Sequence, residues 1–442
     1  MLSANTTMYK KIRLLGIVWC LTISLAQAQT DNSPYSRYGL GDRVPVQTIA
    51  QRGMGGLSAA YFDFTSINYV NPASYGRITN TTLDLGFELD TRSLRAGGGQ
   101  AGAKYNSYSP NISYMQLGFP LKKSGGWGIN LGLHPITRVN YKIQAQDSLL
   151  RPQFSQPMSL NSVYEGNGGA YEAHIGTGFV VAHGLTAGFN IGYLFGNKDI
   201  STRSIISDTT TYYYKSNYER KTSYNGLKFN AGLQYVAKLN KSSYLRMGAY
   251  GSLQSNLNAS QDYVVNTFEY ATSGAMDTID VVTSQYNVSG KIKYPASYGV
   301  GLIYDRPGKW MLGVDYAAEK WSDFRYYDQK DFTQDSWEVR VGGQVAPKGG
   351  KSYWSNVTYR AGFNYGQDYI YFNQQKLPKW TVSAGASLPM RRPAYTNQFS
   401  VINLLLEYGN RGNTNNPLRE NFFRIGVGLA LTDIWFLKRK YD

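Results

Sequence analysis

The stretch Phe423-Arg424-Ile425-Gly426-Val427-Gly428-Leu429-Ala430-Leu431-Thr432 carries large apolar side chains at its odd positions and Gly, Ala, Thr or Arg at its even ones. Successive strand side chains point to opposite faces, so this is a strand with oil on one side and little bulk on the other. The dyad recurs in Leu83-Leu85-Phe87-Leu89 against Asp84-Gly86-Glu88-Asp90. It returns in Leu185-Ala187-Phe189-Ile191-Tyr193-Phe195 against Thr186-Gly188-Asn190-Gly192. A soluble sandwich also buries one such face, so alternation alone does not choose between architectures. An export signal, the strand lengths and an even strand count together favour a closed barrel in lipid.

Positions 1–28 read as a secretory signal peptide, with Lys10, Lys11 and Arg13 in a basic leader, Leu14 to Leu25 as its apolar core, and Ala26-Gln27-Ala28 as a small-residue cleavage site. That core of 12 residues is shorter than the roughly 20 a spanning helix needs. The one cysteine, Cys20, lies inside the leader and follows the bulky Trp19, which excludes a mature disulfide, a thiol nucleophile and lipoprotein processing.

Removal of the leader's three cations takes the formal charge from +16 to +13. The remaining basic residues are scattered through turns such as Leu121-Lys122-Lys123-Ser124 and Arg391-Arg392 and do not gather on a helix face, so no nucleic-acid partner is expected. Scattered turn cations suit anionic headgroups instead, which makes outer-membrane lipid and lipopolysaccharide the expected surroundings. The 38 tyrosines and 8 tryptophans are numerous enough to furnish rings where apolar and wet regions meet, as the membrane boundary requires.

Three regions are expected: the leader at 1–28, an N-terminal hatch or plug at 29–80 rich in Gly, Ser, Asn and Pro, and a barrel over 81–442. Short polar turns recur at Leu121 to Gly126, Ala182 to Gly184, Leu239 to Ser242, Asp305 to Lys309, Pro347 to Lys351 and Arg391 to Ala394. Six such turns separating paired strands give an all-β, transmembrane antiparallel β-barrel of about fourteen strands. Several segments exceed the nine to eleven residues of a tilted spanning strand and should project past the outer leaflet. The longest outer excursions are expected at Ser93 to Tyr108, Gln146 to Asn161 and Asn266 to Gln285, with Asn410 to Asn416 as an exposed crown.

Arg52-Gly53-Met54-Gly55-Gly56-Leu57-Ser58-Ala59-Ala60, then Asp63 and Asn68-Tyr69-Val70-Asn71-Pro72-Ala73, resembles the N-terminal hatch of FadL-type outer-membrane transporters of hydrophobic compounds. Tyr294 to Gly301 and Trp310 to Phe324 look like the central barrel of that family. The opening Ser33 to Gly39 and the ending Trp435 to Tyr441 look like a Bacteroidetes branch of it. The resemblance implies passive uptake of long-chain fatty acids or aromatic compounds across the outer membrane of a Gram-negative bacterium. It also implies a hydrophobic ligand held in an apolar pocket, and a hatch that moves. Phe62, Phe64, Ile67 and Tyr69, which precede Asn71, are the candidate ligand contacts, and Asn71, Pro72 and Ala73 the candidate gate. Asn71-Pro72 is also what an ordinary turn looks like.

Barrels related to this type also serve type IX protein secretion as shuttles, so a non-transporting partner of a secretion machine is the alternative. A monomer is expected in either case. Catalysis is not expected. His134, His174 and His183 do not form a nucleophile, base and orienter set with any serine recognisable in the sequence, nor a metal site, and no cofactor is implied. Asp84, Glu88 and Asp90 share one strand face, which fits solvated or Arg-paired lumenal carboxylates better than a cation site. Tyr212-Tyr213-Tyr214 and Tyr326-Tyr327 suit an aromatic girdle better than ligand stacking.

Overall fold

The computed structural model describes residues 33–96, 104–122, 125–149, 158–207, 212–347, 352–372, 375–390 and 399–433. The expected leader at 1–28, the turn Arg391 to Ala394 and the ending Trp435 to Tyr441 lie outside them. The wall begins with β1 (Thr81–Ala96), β2 (Lys104–Pro120), β3 (Trp127–Leu149), β4 (Met158–Ala182), β5 (Leu185–Ser207) and β6 (Lys215–Asn240). Two interrupted strands follow, β7 (Ser243–Ser252, resuming as Ser255–Tyr270) and β8 (Met276–Tyr294, resuming as Ser297–Arg306). The wall ends with β9 (Trp310–Glu319), β10 (Ser336–Val345), β11 (Thr358–Phe372), β12 (Gln375–Pro389), β13 (Phe399–Arg411) and β14 (Leu418–Asp433).

Every neighbouring pair is antiparallel, and β14 returns to β1 from Thr81↔Asp433 to Ala96↔Leu418, so the sheet is a closed 14-strand barrel. Closure removes the unpaired edge that lipid would not tolerate. The two interruptions are adjacent, because Ser252 faces Ser297 and Ser255 faces Tyr294 across them. Pro295 has no N–H to give the ladder at that point.

Alternation sorts as expected. Ile425, Leu431, Phe189, Val300 and Leu406 stand about half exposed on the outside, while Asp84, Glu88, Asn190 and Arg424 are buried within. Among the described residues no helix is long and apolar enough to cross a membrane, and the apolar belt on the strands is the surface that fits lipid.

The wall is taller on one side. β2 pairs with β3 only from Met115↔Leu133 to Pro120↔Gly128, whereas β3 and β4 pair out to Leu149↔Met158. The outer part of β8, from Met276 to Ser289, pairs with β7 alone. Thus β3 to β8 rise beyond the belt as a panel, and much of the expected loops Ser93 to Tyr108, Gln146 to Asn161 and Asn266 to Gln285 is strand. Water meets both faces of that panel, so no apolar alternation marks it. At the lower edge of the resulting split, Asp42–Arg43 of the N-terminal segment pairs with Thr137 and Arg138 of β3.

Two further expectations need correction. Lys320 to Phe324 does not continue the wall: after Glu319 the chain folds into the barrel mouth, burying Trp321 and Phe324 completely, because these two rings find an aromatic core there. Tyr326 is likewise no girdle residue, since its hydroxyl donates to Thr222 at 2.6 Å and Arg325–Tyr326 pairs with Ile292 and Lys293 of β8. The Asn410 to Asn416 crown turns partly inward, with Asn410, Arg411 and Asn416 all buried.

Candidate functional site

Residues 33–78 run through the lumen from the outer mouth to the short-turn end. Irregular backbone inside a barrel needs hydrogen-bond partners, and the wall supplies them from the side chains opposite the apolar belt. Asn190 donates to the Tyr69 carbonyl at 3.1 Å and Asn230 to that of Val70 at 3.0 Å. Gln234 donates to the carbonyls of Ala59 and Tyr61, both at 3.1 Å. Asp315 accepts from the backbone N–H groups of Ser58 at 2.6 Å and Ala59 at 2.8 Å.

The small residues on the lumenal face explain how the segment fits. Gly128, Gly178, Gly188 and Gly232 lie directly opposite one another across β3, β4, β5 and β6, and Gly313, Gly342 and Gly362 do so across β9, β10 and β11. A Cβ on Gly188 would stand 2.3 Å from the Pro72 carbonyl oxygen, and one on Gly362 2.0 Å from the Gly55 nitrogen. The bare wall is the surface on which the segment's backbone rests. The wall's glycines carry as much of this close approach as Gly53 and Gly55 of the segment do.

Two ionic hubs clamp the segment to β1, β13 and β14. Arg52 of the segment donates to Glu88 at 2.5 Å and to Glu407 at 3.3 Å, and Arg424 also donates to Glu407 at 2.7 Å. Asp42 accepts from Arg92 and, at 2.7 Å, from Arg411, which reaches Asp368 at 3.1 Å. Burial alone would raise the Asp42 carboxyl, but Arg92 and Arg411 outweigh it and hold that carboxyl well below the usual range. Glu88 is thus Arg-paired, as is Asp90 with Arg92 at 2.9 Å and Arg424 at 3.2 Å, whereas Asp84 instead accepts from Tyr114 at 3.0 Å and Ser66 at 3.1 Å.

The candidate residues do not gather round one apolar pocket. Phe64 is exposed, and Phe62 lies under the guanidiniums of Arg246 and Arg77, 3.9 and 4.8 Å from their centres. Ile67 is packed with Tyr69, Tyr75, Ile78 and Ile49. Asn71 caps the two-turn 3₁₀ helix Pro72–Arg77, accepting from the Ala73 N–H at 3.1 Å while donating to the Ala59 carbonyl at 2.6 Å. Pro72 and Ala73 rest on the glycine wall.

Tyr69 alone among these seven lines the lumenal cavity, a space of about 150 Å³ whose other walls include Arg52, His134, Glu172, His174, Lys228, Arg340 and Glu407. It packs on His134 at 4.7 Å between ring centres, and Lys228 pairs with Glu172 at 2.8 Å. Charged and polar side chains line this cavity together with Val44, Val46 and Ile136. Lys228 and Arg340 were missed as lumenal partners because only their parity opposite apolar neighbours betrays them.

The outer mouth is closed by an apolar core. Trp321 packs on Tyr369 at 4.3 Å and on Tyr294 at 5.7 Å, with Tyr35 and Leu40 of the segment in the same cluster. Lys198 donates to the carbonyls of Arg37 at 2.8 Å and Gly39 at 2.7 Å, and the Gly39 N–H donates to Asp331 of the infolded loop at 2.7 Å. Segment and loop interlock.

The family model described as BamG matches residues 8–442. The chain belongs to the BamG family. This BamG-family chain matches no curated protein. Its fold is similar to that of the CymD monoaromatic hydrocarbon channel, at 15% identity, covering 90% of this chain and 99% of that one with a TM-score of 0.53. It is similar to a Pseudomonas aeruginosa FadL homologue at 12% identity, with 89% and 99% covered and a TM-score of 0.56. It is also similar to the Pseudomonas putida toluene transporter TodX at 17% identity, with 89% and 99% covered and a TM-score of 0.55. At these identities the likeness establishes the FadL-like fold of the BamG-family barrel.

Proposed function

We propose that this barrel carries hydrophobic small molecules, such as long-chain fatty acids or aromatic compounds, passively across the outer membrane of a Gram-negative bacterium, by shifting its N-terminal segment. The observation that carries the reading is the way that segment is held. It shares only a two-residue strand with the wall and otherwise rests on glycines, side-chain hydrogen bonds, two ionic hubs and the apolar core at the mouth. Such a plug can move without breaking the wall's ladder. The names of the similar solved structures, channels and transporters of aromatic hydrocarbons among them, agree with that class of solute.

In this reading residues 29–80 are the hatch, Asn71, Pro72 and Ala73 are its gate, and Phe62, Phe64, Ile67 and Tyr69 meet the solute as the hatch moves. Export by the signal peptide at 1–28 brings the chain to lipid and lipopolysaccharide, where it works as a monomer. The test is uptake of labelled oleate and of toluene by cells with and without the protein. Faster uptake with it supports the proposal, and equal rates refute it.

A second reading, a non-transporting partner or shuttle of a type IX protein secretion system, draws support from the charged lumenal cavity and from the tall outer panel of β3 to β8. Recovery of a stable complex with secretion proteins, together with unchanged solute uptake, favours it.

A further inference from the structure

We propose that the outside of the wall between β6 and β9 holds one anionic diacyl phospholipid of the leaflet at the short-turn end. The inference rests on the apolar belt facing lipid and is independent of whether the lumen conducts anything.

A groove of about 530 Å³ runs over this part of the exterior, lined by Leu233, Tyr235, Met247, Ala249, Val300 and Leu302, with Val314 and Tyr316 on its far bank. That size falls within the roughly 300–1,000 Å³ of small-molecule sites. Its shape follows from the sequence. β7 turns Met247, Ala249 and Gly251 outward where its neighbours present Leu233 and Tyr235 on β6 and Val300 and Leu302 on β8. Ala249 and Gly251 on β7, flanked on both neighbouring strands by larger side chains, make a furrow at acyl-chain depth.

The end of the furrow says what fills it. Tyr304 and Trp310 pack together there at 5.3 Å between ring centres, as rings at a headgroup boundary do. Beside them the two adjacent short turns bring Lys241, Arg306 and Lys309 to the surface. None of the three forms an ion pair among the described residues, and Arg306 Nε is buried without a hydrogen-bond partner. The nearest acid of these turns, Asp305, is buried and bonded to Arg246 on the lumenal side. An apolar furrow that ends in aromatic rings and uncompensated cations matches acyl chains below an anionic phosphate headgroup.

Native mass spectrometry of the full detergent-extracted protein tests this, with palmitoyl-oleoyl phosphatidylglycerol and phosphatidylcholine added in equal amounts. One phosphatidylglycerol should be retained about tenfold or more over phosphatidylcholine. Ala249→Trp, which fills the furrow, should abolish retention of both, and Ala249→Leu should weaken it, with heat-modifiable gel mobility showing that each barrel is folded. Replacing Lys241, Arg306 and Lys309 by Gln should bring the two lipids to equal retention. Equal retention by the unaltered protein, or retention indifferent to Ala249→Trp, overturns the proposal. Lipid retention without solute uptake leaves it standing while refuting transport.

Discussion

Adjacent residues of β6 provide a test of how the segment is seated. Gly232 faces the lumen, and a Cβ there would lie 1.9 Å from Asn71 Oδ1 and 3.1 Å from Pro72 Cδ. Ala231 is exposed on the lipid side of the same strand. Gly232→Val and Ala231→Val each place a β-branched side chain in a strand, where it is welcome, so their intrinsic effect on the ladder is alike. Only the first must displace Asn71. That displacement gives up the bond to the Ala59 carbonyl and the one from the Ala73 N–H, about 1 kcal/mol each, and adds about 1–3 kcal/mol of overpacking. The segment's seating should therefore weaken by about 3–5 kcal/mol, or roughly 10²- to 10⁴-fold in its local opening.

Hydrogen exchange read by mass spectrometry on peptides covering 57–78 measures that opening directly, with strand peptides of β12 and β13 as the internal reference. Asn71→Ala removes the bonds without adding bulk and should cost about 2 kcal/mol. Combined with Gly232→Val it should cost less than the sum, because the clash has lost its partner. Unchanged protection of 57–78 in Gly232→Val would refute the reasoning, as would an equal loss in Ala231→Val.

Arg52→Met should loosen the segment by about 1.5–3 kcal/mol in the same assay, less than an orphaned pair would, because Glu88 keeps Arg138 at 3.4 Å and Glu407 keeps Arg424 at 2.7 Å. The depressed Asp42 carboxyl contributes stability that is complete above its unfolded value near about 4 and lost only as pH falls through its lower folded value. Exchange of 38–44, corrected for intrinsic rate, should thus be flat between about pH 8 and pH 5. Val427→Arg, at the centre of the outward run on β14, should cost about 2–4 kcal/mol in folding into lipid vesicles, as followed by gel mobility. Deleting Asn71 to Ala73 should alter solute flux while leaving that mobility unchanged.

The wall was legible where one face meets lipid. Leu83, Leu85, Phe87 and Leu89 against Asp84, Gly86, Glu88 and Asp90 place oil outside and charge inside, as β1 does. The outer half of β6, from Lys215 to Asn225, carries no such signal, because both of its faces lie beyond the belt and polar residues serve on each. Trp321 and Phe324 were placed with the wall only by the likeness of Trp310 to Phe324 to the central barrel of FadL-type transporters. Their burial depends on Tyr369 and Tyr294, which only the closed sheet brings to them. Of the candidate site, the neighbourhood of Asn71 was readable from its glycines and turn residues. The hubs at Arg52 and Asp42 were not, since Arg411 and Glu407 lie more than three hundred positions away in the chain. Among described residues, the gap between the expected apolar pocket and the charged cavity has the same origin: pattern tells which face a residue takes, not which faces converge.

The join between β14 and β1 carries an implication for biogenesis. The threaded stretch sits immediately before β1, so it enters the cylinder at the very place where first and last strands must zip together. Since it spans the interior from mouth to base, closing the final hairpins round it spares the finished cylinder a later threading step. A mistimed zip would leave it stranded outside a finished wall, and so the order of strand addition, as much as the contacts themselves, decides whether the interior is filled.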